Sequence, residues 1–176
     1  MKLYILVLIV ITVSVIFIVN GMDKTRKIEV GSLVPDFSLY DQNGNIFQLA
    51  THLGKKNLVI YFYPKDETSG CTKEACKFRD MYEDFTDAGA EVIGISSDSR
   101  KSHSAFASKH NLQFSLLSDE DNAVRKRFGV PDYLGFLPGR VTYIVNRQGI
   151  VKYIFNSQIQ AEKHAEESIR IIRSMK

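Results

Sequence analysis

Two periods of apolar residues alternate along residues 28–176. Short dense runs mark strands: Leu58-Val59-Ile60-Tyr61-Phe62-Tyr63 is apolar on both faces and so predicts a buried strand, and Val92–Ser96, Phe114–Leu117 and Val141–Val145 follow the same rule. Phe37–Asp41 and Ile46–Leu49 flank Gln42-Asn43-Gly44-Asn45, a hairpin turn signal because Asn-Gly accepts positive φ. Val141–Val145 and Ile150–Phe155 form a second hairpin across Asn146-Arg147-Gln148-Gly149. Between the runs lie 3.6-residue stripes: a helix over about 70–87 ending at Gly89, one near 100–110 carrying Phe106, a short one over 121–128, and a terminal helix over about 159–175 with Ile159, Ile169 and Ile172 inward. The order is that of an α/β domain.

The first twenty-one residues obey neither period. Leu3 to Val19 carries no charge, and as a helix its length lies at the short edge of what crosses a bilayer. It lacks a small-residue cleavage site, so residues 1–21 read as a membrane anchor, with a signal peptide as the alternative, and 22–27 as a linker. Lys2 precedes the run and Lys24, Arg26 and Lys27 follow it, which leaves the orientation open; an exported, periplasmic or extracytoplasmic domain is the expectation. About 150 residues remain for one core.

Charge removes one class of function. The net charge is only +3, and Lys55-Lys56, Arg100-Lys101 and Arg125-Lys126-Arg127 are scattered, with none of the clustering that nucleic-acid binding requires. There is no glycine-rich phosphate loop or dinucleotide fingerprint, so no nucleotide or flavin cofactor is expected. Two cysteines cannot fill a tetrahedral zinc site, and His52, His103, His110 and His164 show no close pairing with each other or with a cysteine. No metal is expected, and His103 is expected to be exposed on its helix.

The chemistry lies in those two cysteines, Cys71 and Cys76. Cys71 falls in the first turn of the helix that leaves the central strand, sharing a stripe with Ala75, Phe78, Tyr82 and Phe85. Free backbone N–H groups and the positive end of the helix dipole favour a thiolate there. Cys76 is about 140° further round and about 7.5 Å along, among Thr72, Lys73, Arg79, Asp80 and Glu83. A disulfide needs Cα atoms within about 7 Å, so the two sulfurs cannot join until the first turns unwind. A redox pair that opens and closes suits such spacing better than a structural bridge does.

Pro64, Thr68 and Cys71 match the P-x-x-x-T-x-x-C signature, and the string through Cys71-Thr72-Lys73-Glu74-Ala75-Cys76 resembles the peroxiredoxin Q, or bacterioferritin comigratory protein, branch of the peroxiredoxins. Further matches follow in order: Ser97-Asp98, Ser102-His103, Phe106, Lys109, Leu116-Leu117-Ser118-Asp119, Phe128-Gly129-Val130 and Gly139-Arg140-Val141-Thr142-Tyr143. Ser69 stands where the branch has proline, which loosens the turn before the helix and removes no reactive group. The alternation of strands and helices, closed by a hairpin and a helix, suits a thioredoxin-like sheet.

Breaking a peroxide O–O bond needs an ionised sulfur and donors aimed at the departing oxygen. Cys71 is the candidate nucleophile. Thr68 can set its hydroxyl beside the sulfur or serve as the helix N-cap. Arg140 precedes a strand beside the active-site strand and brings a permanent, forked charge; Pro64 shields the sulfur and donates nothing. The resemblance assigns the same four positions the same roles. It implies a thiol peroxidase acting on hydrogen peroxide or an organic hydroperoxide, in which Cys76 resolves the Cys71 sulfenic acid and a thioredoxin or similar dithiol protein is the reductant. A monomer is expected. Two other classes stay open, a disulfide oxidoreductase acting on protein substrates and a non-enzymatic redox sensor. The first normally uses Cys-x-x-Cys, and the second does not turn over.

Overall fold

The computed structural model describes residues 28–175. The expected anchor at 1–21 and the linker at 22–27 lie outside them; among the described residues no helix is long and apolar enough to cross a membrane.

A seven-stranded sheet forms the centre. Its strands are β1 (Ser38–Asp41), β2 (Ile46–Gln48), β3 (Asn57–Phe62), β4 (Ala90–Ser96), β5 (Ser115–Ser118), β8 (Val141–Val145) and β9 (Val151–Asn156), in the order β2-β1-β5-β4-β3-β8-β9. Strands β3, β4 and β5 run parallel, while β8 is antiparallel to β3 and aligns Val141 with Phe62. β3 and the residue after it, Tyr63, alternate between two cores. Leu58, Ile60 and Phe62 enter one with Phe37, Phe47, Phe128 and Tyr143; Val59, Tyr61 and Tyr63 enter the other with Cys71, Phe78, Phe85, Phe106 and Ile169. Each fully buried aromatic of this kind contributes about 1.5–3 kcal/mol.

Six helices complete the described residues: α1 (Leu49–His52), α2 (Ser69–Asp80), α3 (Tyr82–Asp87), α4 (Arg100–His110), α5 (Ala123–Arg127) and α6 (Lys163–Ser174). Four features depart from expectation. The helix predicted over 70–87 is two helices, broken where Met81 leaves helical geometry at φ −105°, ψ 12°. The second strand stops at Gln48, and Leu49 starts a single helical turn that buries its side chain. The terminal helix begins at Lys163, because Ser157 Oγ accepts from Gln160 N (3.2 Å) and turns the chain first, leaving Ile159 84% exposed. A two-stranded hairpin, β6 (Asp132–Tyr133) with β7 (Leu137–Pro138), fills a stretch that carries no strand pattern in the sequence. Ile169 and Ile172 do face inward.

Candidate active site

The loop between β3 and α2 carries Pro64, half-buried, and is fixed from beneath by Asp66. This carboxylate, only 4% exposed, accepts from Tyr63 Oη (2.7 Å), Ser102 Oγ (2.7 Å) and His103 Nδ1 (2.9 Å). Burial pushes its pKa up, but the bonds from His103, Ser102 and Tyr63 outweigh that and hold it below the ordinary carboxylate range. His103 Nε2 donates to the Leu117 carbonyl (3.2 Å), so His103 is a fully buried tie between loop, α4 and β5 and not the exposed residue expected. A histidine on a helix reads as polar, and nothing local reveals the carboxylate that meets it.

Thr68 occupies the N-cap position of α2, with extended backbone, and its carbonyl accepts the first helical bond from Thr72 N (2.9 Å). Its exposed hydroxyl donates to the Lys65 carbonyl (3.0 Å). It makes no capping bond, and no hydrogen bond joins it to Cys71.

Cys71 is 1% exposed in the first turn of α2, and its Sγ accepts from Arg140 Nη2 at 3.4 Å. Arg140, 3% exposed, precedes β8, which lies against the end of β3. Its other arm, Nη1, donates to Glu74 Oε2. Two glycines make this geometry achievable. A Cβ on Gly139 would lie 2.2 Å from the Pro131 carbonyl oxygen, and one on Gly70 would lie 3.1 Å from Arg140 Nη2. The Gly139 carbonyl is held in turn by the buried Arg125 Nη2 (2.8 Å). Burial works against the Arg140 charge, but Glu74 and Cys71 outweigh it and keep the guanidinium protonated.

Glu74 is the residue that sequence reasoning missed. It is fully buried, and burial pushes its pKa up to about 8 against the pull of Arg140. One signal was visible: Cys71, Glu74, Ala75 and Phe78 have i, i+3, i+4, i+7 spacing, which sets a carboxylate on the core stripe. His164 lies beyond it, Nδ1 3.6 Å from Glu74 Oε1. Burial lowers the His164 pKa to about 4, so the ring is neutral; Nε2 donates to the Ser157 carbonyl (2.9 Å) and Nδ1 accepts from Thr142 Oγ1 (2.7 Å).

Cys76 is half-buried and, like Cys71, a free thiol. Its Sγ lies 3.9 Å from His110 Nδ1. This corrects the expectation that no histidine approaches a cysteine; α4 supplies the contact from 34 residues away in the chain.

An oxygen displaced at the Cys71 sulfur would meet a buried, permanently charged fork already held by Glu74, so the donors need no rearrangement as charge develops. On a thioredoxin-like sheet, with the thiol at the start of the helix that follows the parallel strand β3, this arrangement belongs to a thiol peroxidase. Residues 30–154 match the family model described as the AhpC/TSA family. Peroxiredoxin Q from the chloroplast of Sedum lineare is 54% identical over 151 residues, covering 85% of this chain and 81% of that protein. Among solved structures, peroxidoxin BcpB from Mycobacterium tuberculosis superposes with a TM-score of 0.79 at 34% identity, covering 85% of this chain and 99% of its own. The bacterioferritin comigratory protein of Xanthomonas campestris, studied for its alkyl peroxide reduction activity, gives 0.76 at 31% identity, over 84% and 97%. The chain belongs to the AhpC/TSA family and, within it, to the peroxiredoxin Q branch.

Proposed function

We propose that Cys71 is the peroxidatic nucleophile and Cys76 its resolving partner within one subunit. The Cys71 thiolate attacks one peroxide oxygen; the O–O bond breaks, Cys71 becomes a sulfenic acid, and the departing alkoxide or hydroxide takes up a proton. Cys76 then attacks the sulfenic sulfur, forming the disulfide and releasing water. A dithiol protein of the thioredoxin type reduces that bond by exchange. The observation that carries this reading is the Arg140 fork, with one arm on the Cys71 sulfur and the other on Glu74.

Pro64 is the shield over the sulfur, and Thr68 orients the peroxide once its hydroxyl turns from Lys65. Both thiols come from one helix, so a single subunit suffices and a monomer is the working form. Hydrogen peroxide and organic hydroperoxides are both substrates. Residues 28–176 form the catalytic domain, and the apolar run within residues 1–21 tethers it to a membrane, with the domain on the exported side. The test is peroxide consumption driven by thioredoxin, thioredoxin reductase and NADPH. Cys71→Ser abolishes it; Cys76→Ser permits one oxidation per subunit and no cycling. Undiminished turnover in either variant removes that cysteine from the mechanism.

A further inference from the structure

The second thiol sits in a built environment of its own. Cys76 leaves the buried stripe of α2 and meets α4, where His110 lies 16% exposed with Nδ1 3.9 Å from the sulfur. The ring is braced on several sides. Its edge packs against Phe106 with centroids 4.9 Å apart; its main-chain carbonyl accepts from Arg79 Nη1 (2.9 Å); Nε2, buried and without a hydrogen-bond partner, lies 3.8 Å from Glu67 Oε2. The Glu67 carboxylate is itself anchored by Lys109 Nζ at 2.6 Å. His110 thus lies between a carboxylate, on its Nε2 side, and a thiol, on its Nδ1 side.

We propose that His110 is a catalytic residue of the resolving step: it takes the Cys76 proton at Nδ1 and holds the resulting thiolate ready for the sulfenic acid, with Glu67 positioning the ring from behind. The proposal rests on the reading of Cys76 as the resolving thiol. The step balances. The S–H proton passes to His110, the thiolate attacks the Cys71 sulfur, the S–S bond forms as the S–O bond breaks, and the hydroxide leaves as water after taking up a proton. Cys76 is oxidised and the sulfenic sulfur reduced. Long contacts of this kind shorten as the reaction proceeds, and once the first turns of α2 unwind the nucleophile is already ionised. The charged groups facing the pair are Glu67 from the loop, Lys109 from α4, and Arg79 with Asp80 from α2. Arg79 is held above its ordinary range, first by its bond to Asp80 and then, against burial, by the sulfur of Cys76 beside it, so a second cation supports the thiolate.

The experiment uses the full chain carrying Cys71→Ser, which leaves Cys76 as the only thiol. A small alkylating reagent then reports how much of it is ionised. Adding His110→Gln slows alkylation at neutral pH by about fivefold or more and leaves the rate unchanged near pH ~9.5, where the thiol ionises unaided. In the otherwise parental chain, the same substitution slows disulfide formation after one equivalent of peroxide by a similar factor. Equal rates at neutral pH overturn the proposal. So does equal slowing at both pH values, because His110 then only governs access. Thioredoxin-linked turnover of Cys76→Ser is measured alongside. If it persists, the resolving assignment has failed, a result independent of the alkylation rates.

Discussion

Replacing Arg140 with lysine keeps a positive charge beside Cys71 and removes the fork. In the parent one arm reaches Cys71 Sγ at 3.4 Å and the other reaches Glu74. A single ammonium is a compact point charge and cannot hold both at once as the planar fork does. The sulfur and the departing oxygen then lose a charge-assisted donor worth about 1.5–3 kcal/mol. At about 1.4 kcal/mol per factor of ten, Arg140→Lys reacts with peroxide about ten- to a hundredfold more slowly. Glu74 keeps a cationic partner, so the fold and its melting temperature change little. The chain has no tryptophan to report oxidation, so the rate constant is best measured by competition with a haem peroxidase whose absorbance follows the remaining peroxide. A variant within about twofold of the parent, roughly 0.4 kcal/mol, shows that the fork adds nothing beyond charge and refutes the reasoning.

Other perturbations probe the supports. Native Glu74 has its pKa raised from 4.5 to about 8, so its contribution to stability is full below pH 4.5 and is lost as the pH climbs toward 8; His164, lowered from 6.5 to about 4, contributes above 6.5 and loses that as the pH falls toward 4. Above pH 6.5 Glu74 is therefore the one still titrating of the two, and the parent loses about 1.4 kcal/mol per pH unit relative to Glu74→Gln, measured by urea midpoints at several pH values up to 8. Gly139→Ala drives a Cβ to 2.2 Å from the Pro131 oxygen; it destabilises by about 1–3 kcal/mol and slows the peroxide reaction by displacing Arg140, as denaturation and kinetics on one sample will show. Asp66→Ala leaves the donors of Tyr63, Ser102 and His103 without their shared acceptor and costs about 1–3 kcal/mol in chemical denaturation.

Much of this architecture is written locally. β3 and β8 announce themselves because both their faces are buried, so the apolar run is unbroken. α4 matches its sequence limits because Ser99 caps it, accepting from Ser102 N (3.3 Å), and Asn111 ends it in the left-handed region. Cys71 was legible for a similar reason, since a strand, a turn and a helix start are all short-range features. What escaped depends on distant partners. His103 looks like a surface residue until Asp66 arrives from another loop; His110 meets Cys76 only because α4 packs beside α2; Arg140 reaches Glu74 across 66 residues of chain. Thr68 stands at the helix start, as its sequence position implies, but its hydroxyl is engaged by a neighbouring carbonyl that this position does not reveal.

Two thiols that share one intact helix can meet only if that helix unwinds. Hydrogen–deuterium exchange on the protein after one equivalent of peroxide, with peptide masses read from the same digest, tests this at once. The expected result is a Cys71–Cys76 disulfide together with faster exchange through Ser69–Phe78, while the amides of β3, β4 and β8 keep their protection. A Cys71–Cys76 disulfide in a protein whose α2 amides remain as protected as in the reduced form contradicts it.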